Sequence, residues 1–257
     1  DQRHTERVLS IPDDPASASR TTSLVERFVN WKRYNFDALL NYSKNFGQHG
    51  LKVMVGYHAE KYEVSKNQMQ RNNFPSNSLN DMDAGGASTQ TNDGLSRELA
   101  MLSYFGRINY DFAGKYLLEA NFRADASSRF APGHRWGYFP SVALGWRFTE
   151  ENFARSLNLD KVLSNGKLRL SYGQTGNSNI GDKSVTYYGT GYNKVFGNKE
   201  YTGVYVSQIG NPDLKWETTT EWNVGLDLGF LNNRFNVTAE YFHKVVSDLL
   251  SSRSVLS

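Results

Sequence analysis

Residues 216–230 read WETTTEWNVGLDLGF. The even positions are Trp216, Thr218, Thr220, Trp222, Val224, Leu226, Leu228 and Phe230. The odd positions are Glu217, Thr219, Glu221, Asn223, Gly225, Asp227 and Gly229. Successive side chains of a strand point to opposite faces, so this spacing predicts one face that is apolar with aromatics at both ends and one that is polar, acidic or bare. Ordinary strands average about 5–6 residues, and this one is far longer, with two different solvents on its sides.

The pattern recurs along the chain. Tyr34, Phe36, Ala38, Leu40 and Tyr42 form one face of 34–42, and Leu51, Val53, Val55, Tyr57 and Ala59 one face of 51–59. Leu102, Tyr104, Gly106, Ile108, Tyr110 and Phe112 alternate with Ser103, Arg107, Asn109 and Asp111. Further strands are expected at 115–124, at 142–148, from Lys167 through LRLSYGQ, and at 235–241. Tight turns at 45–48, 112–115 and 231–234 alternate with long polar connections at 67–97, 127–135 and 175–215. Residues 1–21, with Pro12 and Pro15, read as a loop or lead-in, and 22–257 as the strand-bearing domain. Residues 149–160 break the alternation, and Thr149 followed by acids reads as the N-cap of one or two helical turns. The sum is about eight strands of roughly 10–16 residues.

Composition narrows the function. The longest apolar run is Leu99-Ala100-Met101-Leu102, whereas a membrane-spanning helix needs about 20 such residues. Aromatics make up 14% of a chain whose mean hydropathy is −0.60, as expected when apolar residues are spread thinly along strands. The absence of cysteine excludes disulfides, thiolate metal sites and cysteine nucleophiles. The net charge of +3 is scattered and reads as solvated surface, not a nucleic-acid footprint. His4, His49, His58, His134 and His243 lie at no metal-ligand spacing. Gly173 to Gly176 in SYGQTGNSNIG lacks the Lys and Ser or Thr of a phosphate loop and reads as a strand entering an outer loop. No nucleophile elbow is present. The expectation is a non-enzymatic chain without cofactor, metal or nucleic-acid partner. The N-terminus has no initiator Met and no apolar signal stretch, so the chain reads as starting after processing or within something longer.

Long strands, turns that alternate short and long, an apolar face with aromatics near its ends and a polar opposite face are the pattern of an antiparallel transmembrane β-barrel, which also removes exposed sheet edges. A soluble sandwich or lipocalin-like barrel fits less well, because the strands are too long and the second face carries too many small and charged residues. On the barrel reading Arg107, Asp111, Glu119, Arg123, Asp125, Glu217, Glu221 and Asp227 face the lumen, either hydrating the wall and pairing across strands or lining a transport path. Arg123 and Asp125 fall at the outer end of their strand. Tyr104, Tyr110, Tyr116, Trp146, Trp216, Trp222 and Phe230 are candidates for interfacial girdles. Tyr187, Tyr188, Tyr192, Phe196, Tyr201 and Tyr205 in the long loop are candidates for ligand or lid contact, or for packing on one another.

Four stretches carry a family resemblance: LSYFGRINYDFAGKYLLEANFRADASSRF (102–130), RWGYFPSVALGWRFTEENF (135–153), LRLSYGQTGNSNIG (168–181) and NPDLKWETTTEWNVGLDLGFLNNRFNVTAEYF (211–242). Together they resemble the barrel of SusC/RagA-type TonB-dependent outer-membrane transporters, over about residues 30–250. The resemblance implies a 22-stranded barrel in a Gram-negative outer membrane, crossing it many times, in contact with bilayer and lipopolysaccharide. It implies a plug inside, a SusD-like surface lipoprotein as lid, glycan or peptide cargo, and energy from TonB acting through a box near the N-terminus. This chain departs from that pattern: it has room for about eight strands and carries no plug and no TonB box, so it reads as a barrel fragment. A passive porin-like channel and a non-transporting scaffold or truncated remnant are the alternatives.

Overall fold

A computed structural model describes residues 2–10, 22–76, 78–79, 81–156 and 162–251. The eight alternating segments become strands and a ninth, β1, joins them, so that among the described residues one sheet holds β1 (Gln2–Ser10), β2 (Ser23–Phe46), β3 (His49–Asn72), β4 (Thr91–Phe112), β5 (Tyr116–Ser127), β6 (Trp136–Trp146), β7 (Leu163–Asn177), β12 (Glu217–Phe230) and β13 (Phe235–Ser247), neighbours in that order. Between β7 and β12 lie two small antiparallel ribbons. One pairs β8 (Tyr187–Thr190) with β11 (Val204–Gln208), the other β9 (Lys194–Phe196) with β10 (Lys199–Tyr201). Among the described residues no helix is long and apolar enough to cross a membrane. The chain forms two compact units, residues 1–35 with 60–100, and 36–59 with 101–257.

The first unit differs most from the sequence reading. Gln2–Ser10 is a strand, not a lead-in, paired with β2 from Gln2↔Trp31 to Ser10↔Ser23; residues 11–21 lie outside the described residues. The polar stretch at 67–97 is shorter as a connection, because β3 runs on to Asn72 and β4 starts at Thr91. Charged and amide side chains carry these strand halves, so no apolar alternation betrays them. Ion pairs hold them instead: Arg7 to Glu26 at 2.9 Å, Arg27 to Glu6 at 2.9 Å and Lys61 to Glu98 at 3.2 Å. Leu24 and Phe74 are buried here.

In the second unit the pairing is antiparallel from β4 to β13, with a register shift between β12 and β7 at Gly229/Phe230. At the β4–β5 turn both Ala113 and Gly114 have positive φ, and at the β12–β13 turn so do Leu231, Asn232 and Asn233, the left-handed sense that matches strand twist. Leu231 is the costly member, since a branched side chain rarely takes that region. The break at 149–160 is a 3-10 turn (Phe148–Glu150) and a short helix α1 (Asn152–Ser156), with 157–161 outside the described residues. Thr149 does not cap it: its hydroxyl accepts from the Gly166 amide at 3.0 Å, tying the turn to β7. A buried apolar cluster of this unit is formed by Phe130, Phe139 and Trp216, with Met101, Ile180 and Leu214 packed on it.

Candidate functional site

Directly opposed residues of an antiparallel pair share a face. Following the register through Arg107↔Asn121, Asn121↔Ser141, Ser141↔Gly173 and Gly173↔Glu221 carries one face across five strands. All eight acidic and basic candidates fall on it, because all are odd-numbered on β4, β5 and β12 and the register preserves parity.

Their partners differ. Arg123 directs Nε at both oxygens of Asp125, at 2.7 and 2.8 Å, and Nη2 at the buried Ser103 hydroxyl at 3.0 Å, while its guanidinium lies 5.4 Å from the Phe105 ring centre. Asp125 is only 6% exposed, so its charge is matched inside the wall. Arg107 donates to Asn121 at 2.6 Å, and Asn121 in turn donates to Glu119 and Ser141. Asp111 accepts the Gly114 amide at 2.9 Å and so caps the β4–β5 turn. Glu217 accepts from Asn177 and from the Leu250 amide. Glu221 is exposed, opposite Gly173 and Lys244.

Asp227 belongs to a network the sequence reading missed. Arg169 on β7 donates Nε and Nη2 to Asp227 at 2.7 and 3.0 Å, and Nη2 also to Glu240 on β13. To span three strands the guanidinium lies flat over Gly225, where a Cβ would sit 2.9 Å from it. The signal was present: Arg169 has the parity of Asp227 on an adjacent strand. Nearby, Lys52, Asn109, Glu119, Lys167, Arg169 and Ser171 contribute to a groove of about 770 Å³.

The opposite face is the aromatic one. Tyr104 and Phe112, Tyr138 and Trp146, and Trp222 and Phe230 stand eight residues apart on their strands, about 26 Å at roughly 3.3 Å per residue. Tilting the strands by about 40° reduces this to about 20 Å, close to the roughly 25 Å apolar band of membrane barrels. Rings also meet sideways at each level. Tyr57, Tyr104 and Trp136 follow one another at 5.3 and 6.0 Å, and His49, Phe112 and Tyr116 at 4.7 and 6.2 Å. The structure overturns the girdle expectation for Trp216. It is buried between Phe130 and Phe139, with Nε1 donating to the Arg135 carbonyl at 2.8 Å. It precedes β12 and stitches the 128–135 loop to the 178–216 connection.

That connection carries the loop tyrosines. Tyr205 packs over Gly189, where a Cβ would lie 2.6 Å from the ring, and meets Tyr192 edge-on at 4.8 Å. Tyr201 meets Phe196 at 5.9 Å. Tyr187 pairs with Gln208 across the ribbon. Tyr188 and Tyr192 stay about 70% exposed, at 68% and 70%. Several rings, Tyr192 among them, therefore pack on one another, and Tyr188, Tyr192 and Phe196 nonetheless stay largely exposed. Among the described residues no group of His, Asp and Glu is placed to hold a metal ion.

Comparison with known proteins places this geometry. The family model described as TonB dependent receptor-like, beta-barrel matches residues 2–257. TonB-dependent receptor P39 of Formosa agariphila is 37% identical over 233 residues, covering 88% of this chain and 21% of that protein. TonB-dependent receptor SusC of Bacteroides thetaiotaomicron is 34% identical over 263 residues, covering 95% of this chain and 25% of that protein. The RagAB peptide transporter structure superposes with a TM-score of 0.82 at 27% identity, covering 96% of this chain and 27% of that one. The chain spans about a quarter of the length of these relatives.

Proposed function

The chain belongs to the TonB-dependent receptor-like β-barrel family, and on that premise we propose that it forms part of the wall of a wide outer-membrane barrel that imports large nutrients, glycans or oligopeptides. The even-numbered face of β4–β7 and β12 meets lipid and the odd-numbered face lines the lumen. The tight turns lie at the periplasmic rim, and the 128–135 and 178–216 connections at the cell surface. The observation that carries this reading is the register, which sorts every charged candidate to one face and the paired aromatic levels to the other. Among the described residues β13 is an edge strand, exposed throughout, which supports a wider wall, since a long edge invites a neighbouring strand.

SusC is one relative and a RagAB peptide transporter one structural neighbour. That similarity supports a SusD-like surface lipoprotein as lid, and TonB acting through a plug elsewhere in a longer polypeptide. Tyr188 and Tyr192 are the open rings for cargo or lid to stack on. The chain performs gated passage, with no bond chemistry of its own.

Energy dependence separates this from a passive channel. Cells carrying the protein should take up a fluorescent oligosaccharide or oligopeptide, and an uncoupler should abolish that uptake. Uptake unaffected by the uncoupler would establish the porin-like alternative.

A further inference from the structure

We infer that residues 248–250 are a strap, latched by Glu217 and Lys215 at the outer end of the odd-numbered face, whose release widens the mouth that cargo enters. This rests on reading that face as lumenal. β13 ends at Ser247, opposite Thr218. Continued straight, the chain would run out past the start of β12. Asp248 instead takes a φ of 56°, a left-handed turn that aspartate tolerates better than most residues. Two contacts then hold the turned segment to the chain entering β12. Lys215 Nζ lies 3.0 Å from Asp248 Oδ1, and the Leu250 amide donates to Glu217 Oε2 at 3.0 Å. Glu217 has the parity of Asp227 on the same strand, so the bond draws the strap toward the lumenal side.

Glu217 joins more than these two segments. Its other oxygen accepts from Asn177 Nδ2 at 3.1 Å, across the β7–β12 pair. Asn177 Oδ1 accepts the Asn179 amide at 2.9 Å. Arg129 Nη1 in turn donates to Asn179 Oδ1 at 3.0 Å and to the Ser178 carbonyl at 3.2 Å. Three surface connections, 128–135, 178–216 and the one that follows β13, therefore meet at one carboxylate.

They are not fastened alike. Phe130 of the first and Ile180 and Leu214 of the second pack on Trp216, so apolar burial holds those two together. The strap is held by an ion pair and a hydrogen bond at a wet rim, while Leu249 stays 71% exposed. Such contacts trade places with water at small net cost. The strap can thus let go while the Trp216 cluster and the β12–β13 ladder stay intact, as a moving part on a rigid wall requires.

The test uses the full-length protein in outer membrane. Hydrogen exchange read by mass spectrometry follows a peptide covering 247–251. Glu217→Ala should speed exchange of the Leu250 amide by about tenfold or more, the order expected for losing a bond to a charged acceptor. Glu217→Gln keeps an acceptor without the charge and should fall between. Exchange across 222–228 should match wild type, showing that β12 is folded. Function is read by locking the strap. Lys215→Cys with Asp248→Cys, in a background without other cysteines, is joined by a short cleavable thiol crosslinker. The lock should slow uptake of a large fluorescent oligosaccharide or oligopeptide several-fold, and cleaving the linker should restore it. Unchanged protection of Leu250 in Glu217→Ala overturns the latch, and uptake indifferent to the lock overturns the gate. If the lock has no effect while an uncoupler still abolishes uptake, the import reading stands and only the strap falls.

Discussion

Leu226→Arg probes the two-faced wall at its middle. Leu226 stands four residues from Trp222 and four from Phe230, flanked by Leu168 and Ala239, so each ring level is about 13 Å away along the strand. An arginine there sits near the middle of the apolar band, where it should cost about 2–4 kcal/mol, falling to about 0–1 near the interfaces. Val224 is two residues from Trp222, about 7 Å along the strand, and its arginine variant should cost an intermediate amount, about 1–2 kcal/mol. Asn223 is one residue further back but faces the other way, beside Ser171. Its arginine variant meets water and polar neighbours and should stay within about 0.5 kcal/mol of wild type. Since each 1.4 kcal/mol or so is tenfold in an equilibrium constant, the folding equilibrium constant should fall by about two orders of magnitude for Leu226→Arg and hardly at all for Asn223→Arg. The assay is reversible folding of the full-length polypeptide into phospholipid vesicles, titrated with guanidinium and followed by tryptophan fluorescence. Equal costs for Leu226→Arg and Asn223→Arg, or no gradient between positions 226 and 224, would refute the facing.

Gly225→Ala places a methyl group 2.9 Å from the Arg169 guanidinium, lifts it from Glu240 and should cost about 1 kcal/mol, as for a partly exposed ion pair; a double-mutant cycle with Glu240→Gln should show the two losses to be non-additive. Trp216→Ala removes the centre of the outer-rim cluster and should cost about 3–5 kcal/mol, with new protease cuts inside 178–215, whereas Trp216→Phe should keep that segment resistant. Glu151, in the connection after β6, is held below its ordinary value of 4.5 by the Tyr116 hydroxyl first, then by the Trp146 indole and Lys115. A depressed carboxylate binds protons less tightly when folded, so its contribution is complete above the ordinary value and is lost as pH falls through the folded one. Trp146 fluorescence should therefore report loosening of this rim below about pH 4.5, and Glu151→Gln should remove that dependence.

Where lipid and water lie on opposite sides of a strand, hydropathy alternates and the sequence shows the strand directly. On the proposed facing, that is why 102–124 and 216–230 are legible, and parity alone brings Arg107, Glu119 and Asp227 to one face. Where both sides are wet, the alternation vanishes. Residues 2–10, 23–33 and 60–72 pair through Arg7, Glu26, Arg27 and Lys61, chemistry that reads as loop in a single sequence. Trp216 misled for a related reason. It shares the parity of the girdle residues, but it lies before the strand begins, and only the path of the 128–135 loop reveals that it is covered. Arg169 was missed although its parity was readable, because its function as a clamp depends on two acids 58 and 71 residues away.

The central claim is that these strands are one arc of a larger barrel, and the intact mass of the polypeptide in native outer membrane tests it most directly. The account predicts a mass several times 29.1 kDa, with the remaining strands and the plug in the same chain. A mass near 29.1 kDa would contradict it, because the wall would then have to close on its own few strands and the import function would have to be given up.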